Sequence, residues 1–554
     1  MNTNKGFFEG ILGIHGIKKY LLLVASAFLF SMPFITKSFV SVNEVSSFAS
    51  IFGWCGLSVL FITVFDFQKT LKRVLCSLFL FFFVFYLLVY SWFVNLYPLD
   101  FAGLGNVESI GIIIIALTAI PVLHSFFMTA GLLFGYFAAK YVKINAFRCI
   151  LVSFGYVLGE YMQSIGVFAF PWARLFVGQT AFPSLLQSAS FFGSYFVTFV
   201  IVLVNSLLAM CIVEGNRNRK KGMMYFLCAI AVFLVNLGFG IVRINTVDFS
   251  DSKKISCIVL QGNIPSGEKW SGNVDEIQVY SDLAESIAAE NKTKKIDADI
   301  AVMPETAFPV TLYTEDAYTS YEERVLENIS KMLDVELFAG AFGYEDGKTY
   351  NSIFLIDKDG LVSKPYNKRN IVPFGEYLPY RNIIEKIAPS LRKINMISSD
   401  ISKGENFYPI ETQKGRAACL VCFDSIFPDT ARKQIKNGGE FIVIATNDSW
   451  YKDSCAIYQH ADHAVMRAIE NNVPVIRSAN TGISRIIDSR GRVIAQTNVN
   501  EKTALSASVY FTGNMSLYTR IGDSFVLLCM VVIVTVYAFV TIKKAFRINR
   551  KANM

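Results

Sequence analysis

The sequence predicts a polytopic α-helical membrane domain of eight spans joined to one α/β domain. Three observations predict this class. Hydrophobic residues make up 53% of the 554 positions, 49 of them Phe, and charged residues fall to 17%, where a soluble domain carries about 25%; the mean hydropathy is +0.42. The apolar residues gather into stretches of about 20, the length that crosses a bilayer as a helix. Between the last two such stretches the composition turns globular, and strand-like runs alternate with helix-like ones. A formal net charge of +8 does not point to a nucleic-acid partner, because the Lys and Arg residues stand beside apolar runs rather than on one basic face.

In chain order the apolar stretches are 20–36, 46–65, 74–97, 109–139, 149–169, 191–213, 222–242 and 524–542. The run 109–139 holds no Asp, Glu, Lys or Arg and contains Pro121, so by length it is either one kinked helix of about 46 Å or a tight hairpin. The flanking charges decide. Lys5, Lys18 and Lys19, then Lys69, Lys72 and Arg73, then Lys140, Lys143 and Arg148, then Arg217, Arg219, Lys220 and Lys221 alternate with loops almost free of basic residues. Under the positive-inside rule this pattern requires 109–139 to cross once. The N-terminus is then cytoplasmic and seven crossings put the chain outside from about 243. The eighth span returns it to a basic tail of Lys543, Lys544, Arg547, Arg550 and Lys551. Lys18 and Lys19 also fit the charged region of a signal peptide, but six further spans favour an uncleaved anchor. The expected organisation is a seven-span domain at 1–251, an extracytoplasmic α/β domain at 252–511, and the last span with its tail at 512–554.

Within 252–511, strands are expected at Ile255 to Leu260, Asp299 to Met303, Ala417 to Cys422, Phe441 to Ala445, Val475 to Ser478 and Ser484 to Asp488. Helices are expected at Asp275 to Asn291, Tyr318 to Val335, after Pro428, and at Gln459 to Asn471. Such alternation argues an α/β sheet, whose reactive residues sit beyond the carboxyl ends of strands. Glu305 and Cys422 both occupy that position.

Hydrolytic or transfer chemistry needs a nucleophile, a base and an oxyanion partner. The α/β domain has only two histidines, His460 and His463, so a His-based triad has little material. Their three-residue spacing lacks the third ligand of a zinc helix, and they read as polar helix-face residues. Six of the ten cysteines (Cys55, Cys76, Cys149, Cys211, Cys228, Cys529) lie in apolar stretches and four (Cys257, Cys419, Cys422, Cys455) in the polar region, which is no disulfide framework. Cys422, in Cys-Phe-Asp-Ser-Ile-Phe-Pro-Asp, follows an apolar strand. It is a buried structural thiol unless a neighbouring base or cation activates it. Glu305 in Met-Pro-Glu-Thr and Lys368 in Tyr-Asn-Lys-Arg-Asn are candidates for those partners. Cys419 and Cys422 also form a CxxC pair, but three positions along a strand point to opposite faces.

Taken together these segments resemble the carbon–nitrogen hydrolase (nitrilase) superfamily. With the membrane spans, the chain is similar to the apolipoprotein N-acyltransferases. The resemblance rests on Val259-Leu-Gln-Gly-Asn-Ile-Pro265, the Glu305 and Lys368 segments, Val372-Pro-Phe-Gly-Glu-Tyr377, the Cys422 segment, Asn447-Asp-Ser-Trp450, Gln459-His460 to Glu470, and Asn480-Thr-Gly482. Gly159-Glu-Tyr161 and Phe170-Pro-Trp172 extend it into the spans. It implies a nitrilase-like sandwich with Glu305 as general base, Lys368 as oxyanion stabiliser and Cys422 as nucleophile. Glu376 would be a supporting carboxylate, and Trp270 and Trp450 would bind substrate. Phe423 and Asp424 stand where the family commonly has Tyr and Glu, so their supporting roles are open.

The resemblance further implies an enzyme of the bacterial inner membrane that needs neither metal nor cofactor. Its substrates would be a phospholipid acyl donor and, as acceptor, the N-terminal α-amine of diacylglyceryl-cysteine in an apolipoprotein. The segment Ile383 to Ile397 is apolar enough to be a lid dipping into the outer leaflet, or a helix packed on the domain. Glu160, inside a span, is functional by default or else paired within the bundle. A membrane-tethered amidase with the same triad is the rival reading. A transporter is disfavoured by nearly charge-free spans.

Overall fold

The computed structural model describes residues 17–38, 48–67, 70–99, 104–246, 253–269, 274–294, 297–313, 320–361, 364–387 and 400–552. Two compact units divide the chain. Met1–Ser91, Ile115–Asn245 and Ile521–Met554 form the first, and Trp92–Ile114 with Thr246–Arg520 form the second.

The first unit is helical. Its principal helices are α1 (Ile17–Ile35), the short α2 (Ile51–Cys55) and α3 (Ser58–Val64), α4 (Leu71–Val89), α5 (Asn106–Tyr141, whose first residues belong to the second unit), α6 (Asn145–Met162), α7 (Ser194–Gly215) and α8 (Arg219–Asn245). The last, α13, runs Ser524–Ala552. Among the described residues six helices are long and apolar enough to cross a membrane: α1, α4, α5, α7, α8 and α13. The run 109–139 is one continuous helix with Pro121 inside it, not a hairpin.

Two of the eight expected spans are not among these six, each for a visible reason. The stretch 46–65 is broken between α2 and α3, where Asn205 of α7 enters the backbone ladder. Its Oδ1 accepts from Leu57 N–H at 2.9 Å and its Nδ2 donates to the Gly53 carbonyl at 2.9 Å. The stretch 149–169 is helical only to Met162, after which the chain turns through Gly166 at φ 90°. Glu160 is paired. Its carboxylate lies 3.1 Å from Arg174 Nε and accepts from Thr198 Oγ1 at 2.6 Å and from Leu175 N–H at 3.0 Å. A carboxylate at this depth is tolerated when so partnered.

In the second unit the sheets follow from the residue pattern. The first sheet has the order β14 (Thr503–Tyr510), β1 (Lys254–Gln261), β2 (Ile300–Val302), β4 (Glu336–Glu345), β5 (Lys348–Asp357), β6 (Gly360–Leu361). Strand β3 (Thr311–Tyr313) lies beside β4, and β7 (Tyr366–Asn367) beside β5. The second has the order β13 (Val493–Gln496), β12 (Arg485–Ile487), β11 (Val475–Ala479), β10 (Phe441–Thr446), β9 (Gly415–Val421), β8 (Ile410–Thr412). Alternate residues of β1 part to opposite faces, as the two-residue strand period requires. Ile255, Cys257 and Val259 join Ala417, Cys419, Val421, Val443 and Ile476 in a core between the sheets. Ile258 and Leu260 turn the other way, onto Tyr280, Leu283 and Ile287 of α9 (Glu276–Lys294) and Leu326 and Ile329 of α10 (Tyr321–Leu333). Helices α11 (Pro428–Lys436) and α12 (Cys455–Asn471) accompany the second sheet. The product is a helix–sheet–sheet–helix sandwich.

The strands β1, β2 and β4 are mutually parallel, as are β9, β10 and β11. Their carboxyl ends deliver Glu305 after β2, Cys422 after β9 and Asn447 and Asp448 after β10.

Candidate active site

Glu305 leaves β2 behind Pro304 and is 7% exposed. Its Oε1 accepts from Asn351 Nδ2 at 2.7 Å and from Lys368 Nζ at 3.3 Å, and its Oε2 accepts from Asn447 N–H at 2.9 Å. The backbone at Glu305 can pack this closely on β4 because residue 340 is glycine: a Cβ there would stand 2.3 Å from the Pro304 oxygen and 2.8 Å from Glu305 Cα. The next residue, Thr306, has φ 44°, a left-handed conformation that strains a β-branched residue. Lys269, at the end of the short helix Ser266–Lys269, ties this bend down from below. It donates to the Glu305 carbonyl at 3.1 Å and to Thr306 Oγ1 at 2.9 Å. Burial lowers the Lys269 ammonium to about 8, against the opposing pull of Glu305 and Glu276.

Lys368 is 1% exposed and donates to Glu376 Oε1 at 2.8 Å as well as to Glu305. Its own burial disfavours the charge, yet the two carboxylates outweigh it and hold the ammonium well above the ordinary lysine range. Asn351 sits between the same carboxylates, one N–H on Glu305 and the other on Glu376 Oε1 at 3.1 Å. Two acids can share this volume because an ammonium and an amide separate them. Glu376 is fixed in turn by Val372 N–H on its Oε2 at 2.8 Å.

Cys422 follows β9 directly at φ 47°, which turns its side chain out of the strand register. Burial pushes its thiol up, the Glu305 carboxylate adds to that, and Lys368 pulls it down, with a hydrogen bond to Thr446. Cys419 is fully buried in the core between the sheets, and both cysteines are free thiols.

Asp424 is fully buried and ties the Cys422 turn to the Lys368 strand. Its carboxylate accepts from Tyr366 Oη at 2.8 Å, Asn370 N–H at 2.7 Å, Asn370 Nδ2 at 2.8 Å and Val421 N–H at 3.2 Å. Burial raises its carboxyl while the Asn370 N–H and Lys368 work against that shift. The shorter acid therefore still reaches both flanks of Lys368. Phe423 packs edge-on against Phe427 at 5.2 Å. Trp450 lies half-buried on the turn after β10. Trp270 falls outside the described residues, as does most of the expected lid; Arg381–Ile387 is a short helix with Ile383 exposed.

Sequence reasoning missed several members of this cluster. Asn351 and Lys269 belong to no quoted motif. His460 is buried rather than set on a polar helix face, with its ring between Asp448 and the Cys422 carbonyl. Only its place in the Gln459-His460 segment could have flagged it. Among the described residues no group of three His, Cys, Asp or Glu side chains has the arrangement of a metal site.

The two halves of this architecture define a class, a carbon–nitrogen hydrolase domain carried by a helical membrane domain. A family model described as carbon-nitrogen hydrolase matches residues 259–512, and one described as apolipoprotein N-acyltransferase N-terminal domain matches 37–207. The apolipoprotein N-acyltransferase of Geobacter metallireducens is 33% identical over 380 residues, which cover 67% of this chain and 70% of that one. Its counterpart in Synechocystis is 28% identical over 465 residues, 81% of this chain and 86% of the relative. Among solved structures, Nit3 of Saccharomyces cerevisiae, a nitrilase-superfamily member, is 18% identical and covers 46% of this chain and 90% of its own, with a TM-score of 0.34. The chain belongs to the apolipoprotein N-acyltransferase family.

Proposed function

We propose that the protein moves an acyl chain from a membrane phospholipid, through a thioester on Cys422, to the α-amine of diacylglyceryl-cysteine at the N-terminus of an apolipoprotein. The observation that carries this reading is the buried array in which Lys368 lies 3.3 Å from Glu305 and 2.8 Å from Glu376, with Cys422 in the field of Glu305 and Lys368. Because burial keeps the resting thiol protonated, its proton must leave as attack begins. Glu305 takes it, sulfur bonds to the ester carbonyl carbon, and Lys368 stabilises the oxyanion. Collapse breaks the C–O bond, Glu305 returns the proton to the departing oxygen, and a lysophospholipid leaves. The acceptor amine then attacks the thioester and gives its proton to Glu305. Collapse of the second oxyanion expels sulfur, which recovers the proton.

In this account Glu376 and Asp424 position Lys368, Phe423 packs the nucleophile turn, and Trp270 and Trp450 contribute to substrate binding. The domain 252–511 works outside the inner membrane, with 1–251 and the final span in the bilayer and both termini in the cytoplasm; the alternating basic loops support that orientation. Mass spectrometry after incubation with a phospholipid tests the reading. One acyl group should appear on Cys422, be absent in Cys422→Ala and persist in Cys419→Ala. An unmodified Cys422 at full lipid turnover would refute it.

A further inference from the structure

The mechanism above leaves unused a second charged cluster directly behind the nucleophile. Asp448, His460 and Arg477 come from three elements, the β10 end, α12 and β11, and all are essentially fully buried. Asp448 Oδ2 accepts from Arg477 Nη2 at 2.8 Å, and Arg477 Nη1 also donates to the Ile483 carbonyl at 2.6 Å. Asp448 Oδ1 lies 2.8 Å from His460 Nδ1, and His460 Nε2 lies 3.3 Å from the Cys422 carbonyl oxygen and 3.2 Å from Ser425 Oγ. The Ser425 hydroxyl spends its proton on the Cys422 carbonyl, at 2.7 Å. The imidazole therefore bridges Asp448 on its Nδ1 side and the Cys422 carbonyl with Ser425 on its Nε2 side, and Arg477 Nη2 also lies 3.4 Å from Nδ1. Tyr451 packs edge-on against the imidazole at 5.8 Å, and Trp92 edge-on against Tyr451 at 5.2 Å, which fixes the ring plane.

Burial disfavours the Asp448 charge, but Arg477 and His460 outweigh it and hold the carboxyl at about 2, so the acceptor end of the bridge stays ionised. What the bridge holds is a costly conformation. Cys422 is non-glycine at φ 47°, a state that persists only where its surroundings over-determine it. Hydrogen bonds on its carbonyl fix the following peptide plane and with it the backbone from which the side chain projects.

We propose that His460 is a positioning residue for the nucleophile: by clamping the Cys422 carbonyl between Asp448 and the strained turn, it keeps the sulfur aimed at the substrate carbonyl. The inference rests on the reading of Cys422 as the nucleophile. It concerns the rate of thioester formation, not the binding of lipid.

The test is the pre-steady-state burst of lysophospholipid from the full-length protein and a phospholipid. Burst amplitude counts folded sites and burst rate constant reports aim, so a merely structural role moves only the first. His460→Phe keeps the ring but neither nitrogen. It should lower the rate constant about 100-fold, the effect of roughly 1 Å of misplacement, with KM for the lipid within twofold. His460→Gln places an amide where Nε2 stood and should recover to within about tenfold of wild type. His460→Asn can reach Asp448 but not the Cys422 carbonyl and should stay near the Phe variant. A wild-type rate constant with reduced amplitude in His460→Phe would overturn the proposal. If that variant does not fold, equal rate constants for Gln and Asn would overturn it instead. Wild-type protein that bursts without acylating Cys422 would sink the nucleophile reading itself, a failure visible before any His460 variant is made.

Discussion

Gly340→Ala adds one methyl group to β4, and the geometry predicts that it disables Glu305 without touching it chemically. The added Cβ would stand 2.3 Å from the Pro304 carbonyl oxygen and 2.8 Å from both Glu305 Cα and Thr306 N, where ordinary contact begins at 3.4 Å. All three neighbours are backbone, so the turn after β2 must retreat by about 1 Å, the gap between those distances. Glu305 Oε2 is held by Asn447 N–H at 2.9 Å, and a retreat of that size takes the bond beyond hydrogen-bonding range. Misplacement of about 1 Å in a reacting group costs about 100-fold in rate, or about 2.7 kcal/mol of barrier. Overpacking itself costs about 1–3 kcal/mol of stability. Single-turnover release of lysophospholipid should therefore slow about 100-fold while the variant still folds, with a lower Tm. Gly267→Ala is the control, since a Cβ there meets nothing within 4 Å. A Gly340→Ala rate within threefold of wild type would show that Glu305 does not depend on this packing.

Lys368→Arg should fail nearly as badly as Lys368→Ala, because a wider planar guanidinium cannot occupy a fully buried site bonded at 2.8 and 3.3 Å; retention of more than about a tenth of the rate in the same assay would contradict this. Asp448, held near 2 against an ordinary 3.8, should contribute about 2 kcal/mol of stability. The folded value is depressed, so that contribution is complete above about pH 4 and fades as pH falls toward 2. The Tm gap between wild type and Asp448→Asn should close over that window, and a gap independent of pH would refute the assignment. For orientation, a membrane-impermeant thiol reagent should label a cysteine placed in 97–107 from outside but not one in 67–73, and the reverse pattern would put the catalytic domain in the cytoplasm.

The strands that carry Glu305 and Cys422 were legible because each is a short apolar run followed by polar residues, and the structure puts both residues just past strand ends. The β4–β5 hairpin was not read, although Asp346-Gly347 between two alternating runs is a turn signal; both residues have positive φ, 51° and 74°. Asn351 went unseen with it, because only the hairpin brings β5 beside Glu305. His460 was misread for a different reason. Its spacing to His463 suggested a helix face, whereas its partners Asp448, Arg477 and Cys422 are distant in sequence and no spacing rule joins them. The break at Gly56 and Leu57 was hidden because it depends on Asn205, some 150 residues away.

The most direct test of acyl transfer through Cys422 is a burst experiment with phospholipid alone, followed by addition of acceptor. An enzyme built to hand its acyl group to an amine must keep water from the thioester. It should release about one lysophospholipid per site and stall, then resume when a peptide beginning with diacylglyceryl-cysteine is added, with the acyl chain recovered on its α-amine. The same peptide with an acetylated amine should leave the stall in place. Sustained release of free fatty acid without any peptide would make water the acceptor and contradict the account.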